Sequence, residues 1–207
     1  MLDLSQYHII LASNSPRRKE LLSGLDIKYE IKTLPDVDES YPGNLQGEDI
    51  AIYIAREKAN AYAAYMQDDT LLIAADTIVL LEGRVYGKPV DAEDAMQMLR
   101  DLSGKTHEVI TGVCISTKAK QKTFSVSSQV RFAQLEEDEI NYYVSKYKPL
   151  DKAGAYGIQE WIGYVAVEYI SGSYFNIMGL PIQRLYHELK NFKKGENLSP
   201  SAYCHKQ

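Results

Sequence analysis

Short apolar blocks alternate with amphipathic ones along the chain, and the alternation predicts most of its elements. HIILA (8–12) reads as a buried strand. The stretch SPRRKELLSG follows as a helix, with Ser15 as N-cap, Pro16 at the first helical position, Leu21 and Leu22 on the buried side and Gly24 as the stop. IKYEIKTL (27–34) is a second strand, ending in the acidic, proline-bearing loop PDVDESYPGN. Ala51, Ala55, Ala59 and Tyr62 recur at helical spacing, which predicts a helix from about Glu48 to Gln67. TLLIAADTIVLLEG (70–83) is apolar enough for a central strand, interrupted by Asp76. Asp91 then caps a helix whose inner stripe is Ala92, Ala95, Leu99 and Leu102 and whose stop is Gly104.

In the second half, EVITGVCIST and FSVSSQVRFAQL form an antiparallel strand pair across the basic turn KAKQK. EEDEINYYVSKY begins acidic and ends basic, as a helix dipole favours. After the glycine-rich DKAGAYGIQ come a strand around YVAVEYI, the turn GSYFNIMGLP and a helix PIQRLYHELKNF. The polar stretch from Lys193 reads as a frayed tail. Helices and strands that alternate, with hairpins in the middle, predict an α/β class with a mixed twisted sheet. One domain over 1–192 and a tail over 193–207 account for the 207 residues.

Composition narrows the function classes. A formal net charge of -5 gives no support for general binding to DNA or RNA, so no nucleic-acid partner is expected. No stretch is long enough for a membrane span, and Cys114 and Cys204 are too few for a disulfide framework or a zinc site. A soluble cytoplasmic protein with reduced thiols is the expectation.

Against that acidic background, Arg17, Arg18 and Lys19 crowd a helix start that already carries partial positive charge. The crowding makes sense if an anion binds there: free backbone N–H groups, the dipole and forked guanidinium donors all suit phosphate, and Ser13 and Ser15 add hydroxyls. The alternative is that these cations point into solvent or pair with acids such as Glu20. No GxxxxGK[ST] loop is present. Asp76 is the second signal, because a carboxylate in an apolar strand is costly unless it is paired or bound to a metal, although Asp-Thr can also open a turn. At an exposed strand end it would suit base or metal work. Asp36, Asp38 and Glu39 make an acidic loop able to offer oxygen ligands to a hard cation, or simply a solvated one. Lys58 and Lys88 can meet phosphates or lie on the surface, and His107 reads as structural. Together these residues suggest phosphate ester or anhydride chemistry with a divalent metal.

The same residues carry a family resemblance. LASNSPRRKELL, AADTIV, GKP, HEVITGV, DKAGAYGIQ and GSYFNIMGLP resemble, in order, the motif blocks of the Maf nucleoside triphosphate pyrophosphatases, across about residues 8–190. The resemblance implies a two-lobed α/β fold around a deep cleft, similar to that of inosine triphosphate pyrophosphatases. It further implies cytoplasmic homodimers that use Mg²⁺ or Mn²⁺ to cleave a nucleoside triphosphate to the monophosphate and pyrophosphate. By motif, Asp76 matches the catalytic proton acceptor and, with Glu39, the metal position. Ser13, Arg17 and Arg18 match the phosphate-binding turn, and Lys58 and Lys88 match polar cleft positions. Arg17, Thr77 and Gln159 resemble the branch acting on dTTP and UTP, since a glutamine amide pairs with a pyrimidine edge through both donor and acceptor. The bulky EWIGY segment after Gln159 departs from the small residues common in the family. A broader pyrophosphatase for modified nucleotides and a non-catalytic nucleotide-binding regulator of cell division are the alternative readings.

Overall fold

The computed structural model describes residues 2–35 and 37–192. A seven-stranded mixed sheet runs through the chain in the order β2-β1-β3-β5-β6-β7, with β4 on the edge of β3. The strands are β1 (His8–Leu11), β2 (Glu30–Ile31), β3 (Thr70–Leu81), β4 (Arg84–Tyr86), β5 (Thr106–Ser116), β6 (Gln121–Phe132) and β7 (Val167–Ser171). β1 is parallel to both β2 and β3; the remaining pairs are antiparallel. This is the mixed α/β class expected from the alternation of elements.

Strand β3 is buried on both faces, and its two side-chain rows go to different cores. Leu71, Ile73, Ala75, Val79 and Leu81 join the main core, which also takes in helices α1 (Pro16–Ser23), α3 (Ala92–Leu102), α4 (Glu137–Tyr147) and α7 (Ile182–Asn191). Leu72, Ala74 and Ile78 face α2 (Glu48–Asn60), packing with Ala55 and Ala59 or with Ala51 and Ile54. The alanine stripe lets α2 lie flat. It comes close against Gly112 of β5, where a Cβ would stand 2.2 Å from the carbonyl oxygen of Ala51. Gly112 pairs in register with Asp76, so this contact sets the height of α2 above the middle of β3.

Local signals hold where capping or strong periodicity is involved. Ser15 caps α1 with Pro16 in its first turn, and Asp91 Oδ1 accepts the Asp94 N–H at 2.8 Å at the start of α3. Glu136 and Glu139 form a capping box on α4. Four expectations shift. The strand expected over 27–34 shrinks to Glu30–Ile31, because its alternation carries charges on an exposed edge. The helix expected to Gln67 ends at Asn60 and continues as a 3₁₀ turn, Ala63–Tyr65. Tyr62 and Met66 keep the apolar rhythm because both are still buried in the α2-side core. The strand expected around YVAVEYI opens instead with helix α5 (Trp161–Ala166), whose Ile162 and Ala166 bury at helical spacing while Tyr164 is 83% exposed. Within GSYFNIMGLP a short helix α6 (Tyr174–Met178) forms between the cap Ser173 and Gly179, whose φ of 113° glycine adopts without strain.

His107 is structural, as read from the sequence. Its Nε2 lies 2.8 Å from the Tyr156 hydroxyl, Phe132 packs edge-on, and burial lowers its pKa to about 4. Cys114 is a buried free thiol pushed up to about 12 by burial, which makes it unreactive; Cys204 and the tail from Lys193 lie outside the described residues. Among the described residues no helix is long and apolar enough to cross a membrane.

Gly112→Ala is expected to lower stability by roughly 1–3 kcal/mol, because the added carbon must lift α2 off the sheet. Urea unfolding checks it, and an unchanged midpoint would show that α2 does not depend on the contact.

Candidate active site

The site lies where β3 loses its neighbours on one edge. β1 pairs with Thr70–Ile73 and β4 with Val79–Leu81, so among the described residues no strand lies beside the segment 74–78 on that edge. Asp76 and Thr77 stand in this break. A cavity of about 520 Å³ opens onto them. Because side chains alternate, Asp76 faces α2 and Thr77 the opposite side, and both reach the cavity.

On the α2 side, four charges form a row. Lys58, in the last turn of α2, places Nζ 2.6 Å from Asp76 Oδ1 and 2.8 Å from Glu39 Oε1. Lys88, just after β4, reaches the same Glu39 at 3.0 Å. The Asp76 and Lys58 side chains are only 10% and 12% exposed, so neither charge has bulk water as its main partner. Burial alone would raise the Glu39 carboxyl, but the ammonium groups of Lys58 and Lys88 outweigh it and bring it down to about 2. Of the other acids in that loop, Asp38 spends its carboxylate on the backbone N–H and hydroxyl of Ser40, both at 2.8 Å, and Asp36 lies outside the described residues.

Opposite, the turn from β1 into α1 supplies the basic cluster. Ser13 Oγ accepts the Ser15 N–H at 3.2 Å, shaping the turn. Arg18 donates from Nε to the Gly179 carbonyl at 2.8 Å and from Nη2 to Thr77 Oγ1 at 3.1 Å. Burial pulls the Arg18 pKa down while the Asp76 carboxylate opposes that shift. Thr111 spends its hydroxyl proton on the Asn176 carbonyl, so in the 2.9 Å contact between Thr77 and Thr111 it is Thr77 that donates. Thr77 is therefore part of the scaffold that fixes Arg18. Arg17 pairs with Asp151 at 3.0 Å. Gln159 lines the cavity, and its buried Oε1 has no hydrogen-bond partner among the described residues.

Ser13, Arg17, Arg18, Glu39, Lys58, Asp76, Thr77, Lys88 and Gln159, the residues matched by the family resemblance, line this one cavity, whereas Lys19 and Asp38, also singled out from the sequence, do not. Sequence reasoning missed Asp151 and Lys152, also on its wall, and Glu160 behind them. Their signal was the DKAGAYGIQ block, but nothing in a lone Asp-Lys announces that Lys152 is buried, at 7% exposure. As a cation site, the donor set is a pair of carboxylates: among the described residues no group of three His, Cys, Asp or Glu converges. Glu39 and Asp76 meet on the Lys58 ammonium; one or two carboxylates, completed by water and phosphate oxygens, is the donor number with which Mg²⁺ is commonly bound.

Glu39 carries a pH signature. Its carboxyl falls from an ordinary 4.5 to about 2, so the stability it contributes is fully present above pH 4.5 and lost as pH falls through about 2. The stability gap between the parent and Glu39→Gln, followed by urea unfolding at stepped pH, is expected to narrow across that window. A gap that stays constant would show that the lysines do not hold the carboxylate.

Residues 8–192 match the family model described as Maf-like protein. A dTTP/UTP pyrophosphatase of Bacteroides fragilis (strain YCH46) is 64% identical over 190 residues, covering 92% of this chain and 98% of that protein. One of Porphyromonas gingivalis (strain ATCC BAA-308 / W83), also named dTTP/UTP pyrophosphatase, is 57% identical over 195 residues, covering 93% and 98%. Among solved structures, a HAM1 protein from Coxiella burnetii aligns at a TM-score of 0.49 and 16% identity, over 89% of this chain and 99% of that one; at that distance it says nothing of function. With nearly its whole described length matched by the family model and by these relatives, the chain belongs to the Maf family.

Proposed function

We propose that this chain hydrolyses nucleoside triphosphates, dTTP and UTP foremost, to the nucleoside monophosphate and pyrophosphate. The observation that carries the reading is the row Lys88–Glu39–Lys58–Asp76, set in the break of β3 and facing the Ser13–Arg18 turn across one cavity. Cations on both sides of a buried carboxylate suit a polyphosphate held beside a general base. The names of the relatives support the pyrimidine preference. So does Gln159, whose unpaired acceptor oxygen matches the N3–H of uracil or thymine.

In this account the Ser13–Arg18 turn and Arg17 hold the phosphate chain in line, with Arg18 fixed in place by Thr77 and Gly179. Asp76 accepts a proton from the attacking water as the new bond to the α-phosphorus forms. The bond from that phosphorus to the bridging oxygen breaks, and pyrophosphate leaves. Lys58 keeps Asp76 aimed at the water, and Lys88 offsets charge on the departing phosphates. Glu39 and Asp76 would hold a divalent cation, which when bound supplies further neutralisation of the phosphate oxygens.

Asp76→Asn removes the base while keeping the side chain's size. It is expected to cut kcat by roughly 10²- to 10⁴-fold with the fold intact. Single-substrate kinetics on dTTP check this, and turnover close to that of the parent would remove Asp76 from the chemistry.

A further inference from the structure

Arg17 and Gln159 lie on different elements, yet one run of polar contacts joins Arg17 to the turn that carries Gln159. Arg17 Nη1 pairs with Asp151 Oδ2 at 3.0 Å, and Asp151 Oδ1 accepts from Lys152 Nζ at 2.7 Å. The same ammonium lies 3.2 Å from Glu160 Oε1. The other oxygen of Glu160 takes the hydroxyl proton of Tyr143, and the Tyr143 oxygen accepts the Gly157 N–H at 3.0 Å. Glu160 N–H closes back on the Gly157 carbonyl at 2.9 Å, so the turn 157–160 that carries Gln159 is held from both ends. Lys152 is the hinge of this run: its side chain is 8% exposed, on the wall of the cavity, with two carboxylates as partners.

We propose that Lys152 is a positioning residue for base selection, holding the Gln159 amide in one orientation through Glu160 and Tyr143; the proposal rests on the pyrimidine reading above. The chemistry gives it a direction. A glutamine amide presents an acceptor or a donor depending on which way it is turned. With Oε1 toward the base it accepts from the N3–H of uracil or thymine and opposes the bare N3 acceptor of cytosine. Without the Lys152 ammonium, the Glu160 carboxylate is left in a nearly buried position with no counter-charge and is driven toward water. Tyr143 then loses its acceptor, the Gly157 turn loosens, and the amide turns over to offer Nε2 to cytosine. Lys152 thereby excludes cytosine without touching it.

The test measures dissociation constants for the α,β-imido analogues of dUTP and dCTP by calorimetry. It compares the parent with Lys152→Met, Tyr143→Phe and Lys152→Arg. The parent is expected to favour the dUTP analogue. That preference should fall about tenfold in Lys152→Met and in Tyr143→Phe, the worth of roughly one well-made hydrogen bond. In Lys152→Arg, which keeps the charge, it should recover to within about threefold of the parent. A purely structural role would weaken both analogues in parallel and leave the ratio unchanged. An unchanged ratio in the variants, with a selective parent, overturns the positioning role while the pyrimidine reading stands. A parent that binds both analogues equally overturns the positioning role together with the preference for dTTP and UTP over cytosine nucleotides. If Lys152→Met does not fold, Tyr143→Phe decides by itself, since it leaves the Lys152–Glu160 ion pair in place and removes the hydroxyl that links Glu160 to the Gly157 N–H.

Discussion

The contact between Lys58 Nζ and Asp76 Oδ1, 2.6 Å long and largely shielded from water, is the constraint around which the site is organised. Placing an ion in such surroundings costs several kcal/mol, repaid only when the partner charge is close and well aimed. That demand reaches into the fold. Asp76 must face α2 rather than the main core, which the alternation of β3 provides. Lys58 must hang directly above it, which requires α2 to lie flat on the sheet at its alanine stripe and at Gly112, the register partner of Asp76. Had position 112 carried any side chain, the helix would stand off and the pair would open.

The break in the edge of β3 complements that constraint. A carboxylate in the middle of a fully paired sheet would be sealed from substrate, whereas β1 stops pairing at Ile73 and β4 starts at Val79. The departing β1 chain turns at once into α1, so its basic turn arrives opposite Asp76 rather than elsewhere on the molecule. One topological event therefore exposes the acid and delivers the cations. The site is polarised as a result: a carboxylate between two lysines on one side, guanidinium groups fixed by neutral acceptors and by Asp151 on the other.

Much of this was legible in the sequence, for identifiable reasons. Caps such as Ser15 and Asp91, and the long β5–β6 hairpin, are local events written in a few adjacent residues. Asp76 announced itself because a lone acid in an apolar run conflicts with its surroundings. The family resemblance brought Lys58, Lys88, Glu39 and Gln159 into the same picture, and the cavity gathers them. What the sequence hid was nonlocal. That Thr77 works with Arg18 and that Gly112 sets the height of a helix depend on segments tens of residues apart. The burial of Lys152 between Asp151 and Glu160 depends on how one loop folds back on itself. Helix α5 was hidden for a different reason. YVAVEYI has the composition of a strand, and only the burial of Ile162 with Ala166 selects the helical spacing.

The most direct measurement is pyrophosphate release by the full chain from dTTP, UTP, CTP and the common purine triphosphates, with and without Mg²⁺. The account predicts release that needs the metal, fastest with dTTP and UTP, with the monophosphate and pyrophosphate formed in equal amounts. Folded protein that releases none from any of these nucleotides, or that releases orthophosphate instead, would contradict it.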